Sequence, residues 1–581
     1  EGVMLSGDLM TAFIFFEILS FTSFTWVIHE ETEDAVNAGY TYLFIAVIGG
    51  LVLFMGLAML QYAAGTLSFA DLKEAAAASS HHSMIFAAGI CILFGFGCKA
   101  GMFPVHVWLP KAHPVAPSPA SALLSGILTK VGVYGILMIS TTALLGNEAF
   151  GLLVLLLGAV TMALGAVLAL FSINLKRTLA CSSMSQIGFI LTGLGTAVLL
   201  TAAGSVEGLS IAMSGVMLHM VNHSLIKLTL FMAAGVVVMN LHVLTLDEIR
   251  GWGKNKLFLK ISFALGALGI SGVPMFNGYL SKTLLHEGIV DGIHHLEQYS
   301  RLLSFVEWIF LISGGLTFAY MIKLFICVFV EKNRDITRQQ SFDQNDKCMN
   351  GISTATIFCS SLLMVVLGQP FISTRLVSYM TGFEEILHFK AFSPENLKGS
   401  IISLTIGGAV YLIIVRKVLV KDGSYLNLWP DKLDLEDLIY RPLITKHLPN
   451  FLHNIAVIFG ENRILRPILT GPLAKAFGSL SSVFGENKIL RPLCRTGLVV
   501  FCTLARILES VLDGCILLLR KTAMKEKKVQ GREKAYPGLL STLSAELSAA
   551  AEPLVSNFTF AMMMTCIGIV IMLCTIIFVV F

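Results

Sequence analysis

Five stretches of this chain, 35–70, 149–175, 178–206, 348–374 and 553–581, contain no Asp, Glu, Lys or Arg, and the shortest of them runs for 27 residues. A bilayer core about 30 Å thick is crossed by about 20 helical residues. Within it every backbone N–H and C=O must be satisfied inside the segment, so such runs fold as helices. The 13% content of charged residues, beside 55% hydrophobic ones, excludes a string of soluble domains, in which about 25% would be charged. The chain reads as an all-α polytopic membrane protein.

Apolar segments recur at 5–28, 39–62, 82–106, 118–141, 149–172, 178–202, 208–240, 258–285, 304–330, 350–369, 399–419 and 555–581, giving twelve candidate spans. Loops after the odd spans hold eleven Lys and Arg (Lys111, Lys176, Arg177, Arg250, Lys254, Lys256, Lys260, Lys332, Arg334, Arg338, Lys347), against five after the even spans (Lys73, Arg301, Arg375, Lys390, Lys398). The positive-inside rule assigns the odd exits to the cytoplasm. The first residue is Glu, and the reading is of a sequence that begins inside a longer natural chain.

Residues 421–552 differ in kind, with 31 of 132 residues charged. Apolar positions at helical spacing, 500, 504, 507, 511, 515 and 518, oppose Arg506, Glu509, Asp513 and Arg520. That pattern predicts amphipathic helices lying along a membrane surface or a neighbouring bundle. The motif FGENRILRP at 459–467 returns as FGENKILRP at 484–492, 25 residues on, as expected of a strap that repeats one contact. Four parts are expected: a transmembrane core over 1–345, further spans over 346–420, the lateral segment over 421–552 on the cytoplasmic side, and an anchoring helix over 553–581.

The most informative residues are ionisable ones inside spans: Glu17, Lys99, Lys130, His219, His223, Lys227, Lys282 and Lys323. A charge at mid-membrane costs about 2.5–3.5 kcal/mol on insertion scales, so such residues pair, line water or carry protons or ions. Lys323, late in its span, is expected to snorkel to the interface, and Lys282 to lie near the far end of its own. His219, His223 and Lys227 are spaced i, i+4, i+8 and form a column on one helix face. The column suits proton transfer better than zinc, because histidine titrates near neutrality and no third ligand lies nearby in sequence. The eleven cysteines form no C-x-x-C motif, so neither an iron–sulfur nor a structural zinc site is expected. No cofactor of any kind is expected, and the net charge of +4 does not mark a nucleic-acid binder.

Two spans are interrupted, the third by Gly101 and Pro104 and the eighth by Gly269, Gly272, Pro274 and Gly278, each near a buried lysine. Broken helices are tolerated where they line a cavity. They sit five spans apart, so they run in opposite directions, as in an inverted repeat.

The sequence KAGMFPVHVWLPKAH at 99–113 resembles the signature of the antiporter-like subunits of respiratory complex I, shared with Mrp-type cation/proton antiporters and membrane-bound hydrogenases. PSPASALLSGILTK at 117–130, NLKRTLACSSMSQIG at 174–188 and HMVNHSLIK at 219–227 continue it in the family's order. The resemblance covers about residues 5–330. It implies an inverted-repeat antiporter-like bundle in which Glu17 and Lys99 form the characteristic pair of the family's helices 5 and 7. Lys130 matches the helix 8 lysine, His219 and His223 the helix 11 histidines, and Lys282 the helix 12 terminal residue. On this register the family's helices 1–4 are absent. DLEDLIYR at 434–441, the amphipathic stretch and the last span resemble the lateral and anchoring helices of the distal, large complex I subunit.

The implied function is that of a proton- or sodium/proton-translocating subunit of a redox-driven complex, such as a complex I-like oxidoreductase or membrane-bound hydrogenase. No catalytic centre is expected in the chain itself. The expected partners are other antiporter-like and small membrane subunits, with peripheral redox subunits acting indirectly, in a bacterial or archaeal cytoplasmic membrane. The alternative is an Mrp-type secondary antiporter without redox chemistry. An inorganic-carbon uptake subunit on the same fold and a redox enzyme with its own cofactor are the remaining rivals.

Overall fold

A computed structural model describes residues 1–344, 349–421 and 424–428. The lateral segment beyond residue 428, its repeat and the final span fall outside the described residues. Among the described residues nine helices are long and apolar enough to cross a membrane, or ten if one bent pair counts as a span. The main helices are α1 (Leu9–Val27), α2 (Glu33–Ala64), α3 (His82–Ala100), α4 (Trp108–Val115), α5 (Ser118–Thr141), α6 (Glu148–Phe171) and α7 (Leu175–Ala202). They continue with α8 (Val206–Leu241), α9 (Leu257–Ser271), α10 (Asn277–His295), α11 (Ser300–Phe329), α12 (Gly351–Val366), α13 (Pro370–Thr381) and α14 (Pro394–Leu419). Helix α7 is buried along nearly its whole length and forms the axis of the bundle.

The inverted repeat is written in the local chemistry. Asp8 caps α1 by accepting from the Thr11 amide at 2.8 Å, and Asn174 caps α7 by accepting from the Arg177 amide at 3.0 Å. Each satisfies an orphan donor of the first helical turn. Asp8 then forms a β-bridge with Ser68, beyond the second helix of its half, and Asn174 does the same with Thr245. The third helix of each half ends at a glycine in the left-handed region, Gly101 at φ 77° and Gly272 at φ 75°. Only glycine adopts that conformation without a Cβ penalty.

Helices α6 and α7 meet almost backbone to backbone. Gly151, Gly158 and Gly165 recur every seven residues on α6, facing Gly188 and Gly195 on α7. A Cβ at Gly188 would lie 2.2 Å from the Met162 amide nitrogen, and one at Gly158 would lie 2.5 Å from that of Thr192. With no water to expel between helices in lipid, close approach of small residues supplies the packing energy. Gly188→Val is therefore expected to prevent accumulation of folded protein, measured as the yield of monodisperse detergent-extracted chain. A normal yield would show that α7 can retreat from α6.

Three expectations about the spans change. The tenth span is a helix pair: α12 stops at Val366, and α13 leaves at 87°. Gly368 at the corner lies against the loop that follows α9, where a Cβ would come within 2.2 Å of the Met275 carbonyl, and Pro370 opens α13 without needing an amide partner. The eighth span continues through α10 to His295, so Lys282 lies well inside it and is only 8% exposed. Lys323 does not snorkel. It is 1% exposed, and its ammonium donates to the carbonyls of Leu170 at 2.6 Å, Ser172 at 2.7 Å and Ala169 at 3.3 Å. These carbonyls close α6, where the last turn has no intrahelical donors and carries the negative end of the dipole.

Candidate ion-translocation path

The first cluster lies where α1, α2 and α3 meet. Glu17, on α1, turns its carboxylate onto Gly50 of α2, where a Cβ would come within 2.4 Å of Oε1. That oxygen is buried and has no hydrogen-bond partner among the described residues. Lys99, 2% exposed one residue before the end of α3, donates to Ser20 Oγ at 3.0 Å and to the Tyr42 hydroxyl. Ser20 is one helical turn on from Glu17. The ammonium also lies over the Tyr42 ring, 4.7 Å from its centroid. Among the described residues no hydrogen bond links Lys99 to Glu17; the ammonium is held by the two hydroxyls instead. The break after Gly101 returns Trp108 to this site, with its indole N–H donating to the Cys98 carbonyl at 2.7 Å. A cavity of about 10 Å³ remains beside Phe16, Tyr42, Lys99 and Trp108, near the lower limit for one water.

Lys130 follows a π-helical turn, Leu124–Leu128, within α5. The turn presents the Ser125 carbonyl to its ammonium at 2.6 Å. Such single-turn insertions re-aim side chains and cluster at functional sites. Ser125 Oγ meets Ser183 Oγ of α7 at 2.5 Å, joining the Lys130 site to the axis.

The α8 column faces α7. Lys227 donates to the Leu179 carbonyl at 2.8 Å and to Ser182 Oγ at 2.9 Å. Tyr320 on α11 donates to the same Ser182 oxygen at 2.9 Å. The rings of His219 and His223 are parallel, tilted by 7° with centroids 6.2 Å apart. His219 meets Gln186 Oε1 and Ser281 Oγ, whereas both nitrogens of His223 are buried without a partner among the described residues.

Beyond the column, Lys282 donates to the Ile270 carbonyl at 2.8 Å, at the end of α9, and lies 4.6 Å from the centroid of the Phe189 ring. Ile270 precedes Gly272 by two residues, as Lys99 precedes Gly101. Each half therefore sets one ammonium at the last turn before its left-handed glycine, in the first half through its own side chain and in the second from across the break. A cavity of about 40 Å³ connects Lys282, Thr283 and Ser400 to His286. His286 Nε2 is 3.1 Å from Glu307 Oε1, and both side chains are partly exposed.

The seven sequence-predicted residues thus fall into four buried clusters. Lys227, His219 and His223 share one face; among the described residues Glu17 and Lys99 share a site without a hydrogen bond, and Lys130 and Lys282 flank the column without a hydrogen bond to it. Sequence reasoning missed Tyr42, Ser182, Gln186, Tyr320, His286 and Glu307. The polar positions 182, 183, 185 and 186, inside a run with no charge, were the available signal for Ser182 and Gln186. His286 lies one residue past the expected end of its span.

The family described as NADH:quinone oxidoreductase/Mrp antiporter, TM, matches residues 6–296. Hydrogenase-4 component B of Escherichia coli (strain K12) is 28% identical over 376 residues, 64% of this chain and 55% of that protein. A subunit of the Na(+)/H(+) antiporter of Alkalihalophilus pseudofirmus is 28% identical over 345 residues, 59% of this chain and 66% of that protein. The chain thus spans between about half and two-thirds of the length of these curated relatives. Among solved structures, the Mrp complex from Dietzia sp. DQ12-45-1b superposes with a TM-score of 0.55 at 20% identity, covering 71% of this chain and 76% of that one. The archaeal membrane-bound sulfane sulfur reductase gives 0.54 at 22% identity, covering 70% and 74%. The fold is shared with these complexes, and the chain is an integral membrane protein that belongs to the NADH:quinone oxidoreductase/Mrp antiporter transmembrane family.

Proposed function

We propose that the chain is an antiporter-like, cation-translocating subunit of a multisubunit membrane complex driven by redox chemistry in other subunits. The observation that carries this reading is the succession of buried Lys99, Lys130, Lys227 and Lys282, each held, among the described residues, by hydroxyls or carbonyls instead of a carboxylate. An ammonium partnered only by neutral oxygens in a desolvated site can lose its proton more readily than one in an ion pair. Ammonium and imidazole groups carry protons and do not ligate sodium, so the proton is the favoured cargo. Glu17, beside Lys99, supplies a negative charge whose position can bias the first lysine. The exit is assigned to the cavity between Lys282 and the His286–Glu307 pair.

In this reading residues 1–345 form the translocating core and 346–420 add spans. Residues 421–552 lie along the cytoplasmic side of neighbouring membrane subunits, and 553–581 anchor them. The membrane is a bacterial or archaeal cytoplasmic one. The second reading, a secondary cation/proton antiporter, is favoured by the likeness to part of a named Na(+)/H(+) antiporter. Inverted membrane vesicles separate the two. Acidification that requires an added electron donor supports the redox-driven reading, and exchange driven by an imposed sodium gradient alone supports the antiporter. In either assay Lys130→Ala is expected to lower translocation about tenfold or more, equivalent to about 1.4 kcal/mol on the transfer barrier. Unchanged rates would remove Lys130 from the path.

A further inference from the structure

Four side chains in the dry centre of the bundle fix which nitrogen of His219 can exchange a proton. Thr317 on α11 donates its only hydroxyl proton to the Ser313 carbonyl at 2.8 Å. Its oxygen can therefore only accept from its remaining neighbours. The Tyr320 hydroxyl, 3.2 Å away, gives its one proton to Ser182, and Gln186 lies 3.4 Å away. Gln186 must turn its NH₂ towards Thr317, because its carbonyl there would face a lone pair. The amide oxygen then points at His219 Nε2, 3.1 Å away. An amide oxygen has no proton to give, so Nε2 must carry the hydrogen. In the neutral ring Nδ1 is then a bare acceptor, and Ser281 Oγ donates to it at 2.9 Å.

We infer that Gln186, held by Thr317, is a positioning residue that keeps His219 in the Nε2–H tautomer, so that His219 takes up and releases its proton only at Nδ1, on the side of the ring that faces Ser281. His219, Gln186, Thr317 and Ser281 are each buried, at 1% exposure or less, so bulk water does not compete for these bonds. When Nδ1 gains a proton it becomes a donor to Ser281 Oγ. The hydroxyl can then turn its own proton to the Gly278 carbonyl at 3.3 Å or that of Asn277 at 3.5 Å. Both belong to the first turn of α10, just past the break. One hydroxyl rotation thus accommodates either protonation state, and no other bond in the set changes. The consequence is directional. Nε2 is closed to proton exchange with the rest of the column. The exchange face of His219 looks onto α10, which carries Lys282 next to Ser281.

The inference rests on the proposed role of His219 in translocation, but its test does not use transport. The full chain in lipid, labelled with ¹⁵N-histidine, is measured by solid-state NMR, with the His219 signals assigned by their loss in His219→Gln. The expected spectrum shows a protonated Nε2 and an unprotonated Nδ1 for neutral His219. Thr317→Val removes the acceptor, frees Gln186 to turn, and should add a second, Nδ1–H population. Thr317→Ser should preserve the single tautomer. A wild-type Nδ1–H ring overturns the inference, as does a pure Nε2–H ring in Thr317→Val. If Thr317→Val fails to accumulate, the wild-type spectrum decides alone. An Nε2–H ring together with normal translocation by His219→Gln would retire the translocation role and leave the tautomer assignment standing.

Discussion

Lys282→Ala is expected to abolish coupled translocation, by about a hundredfold or more, while the protein still assembles. A hundredfold corresponds to about 2.7 kcal/mol on the barrier, well within what loss of a proton-carrying group imposes. Lys282 both bonds the end of a broken helix and opens onto a cavity large enough for water. Removing it leaves the Ile270 carbonyl facing that cavity, where water can replace the bond, so the helix break survives. Lys282→Met keeps most of the volume and removes the charge. It should be as inactive as alanine and at least as stable, because a buried charge held by one carbonyl is not a net source of stability. Lys282→Glu should retain part of the activity, since a protonated carboxyl can also donate to Ile270 and can release its proton into the same cavity. Translocation in vesicles, set against the amount of assembled complex, checks all three. Normal pumping by the alanine variant would make Lys282 an anchor only.

What the sequence made legible follows from what each residue needs. A lysine amid apolar neighbours on both sides has to be held by something, so Lys99, Lys130 and Lys227 stood out before any partner was known. Gly101 and Gly272 marked the breaks because a left-handed residue at a helix end is usually glycine. The partners were not legible, because they come from distant sequence. Lys323 looked like a snorkelling residue because the carbonyls that hold it, on α6, lie about 150 positions earlier. Gln186 and Thr317 are 131 positions apart and uncharged, so no cost argument pointed to either. The bend between α12 and α13 depends on Gly368 meeting Met275, a contact that no local pattern encodes. His286 was hidden in a presumed loop, because hydropathy falls off before α10 ends, and Glu307 lay at the start of the ninth expected span, where a carboxylate reads as a flank.

Glu17→Gln is the second large effect expected, with translocation reduced at least tenfold and assembly intact. The carboxylate is nearly isosteric with the amide, so the close approach to Gly50 is kept, and the change is one of charge. As the structure stands, Lys99 is bound to Ser20 and Tyr42, while Glu17 Oε1, one turn from Ser20, is buried without a hydrogen-bond partner among the described residues. A buried anionic oxygen without a partner is unfavourable, and an opposite charge brought to about 4 Å would attract it by about 4 kcal/mol at an effective dielectric near 20. In the proposed mechanism two arrangements compete for Lys99, one on the hydroxyls and one on Glu17, and the second withholds its proton from Lys130. Glutamine removes the second arrangement, so the switch can no longer alternate. Tyr42→Phe should act in the opposite sense, weakening the hydroxyl-bound state and drawing Lys99 to Glu17. It should also lower turnover, because either fixed state stops the cycle. Glu17→Asp, with a shorter reach but the same charge, should fall between wild type and glutamine. The three variants are compared by proton uptake per unit of assembled protein in vesicles. If Glu17→Gln pumps at the wild-type rate, the alternation at Lys99 is not part of the mechanism, whatever the other lysines do.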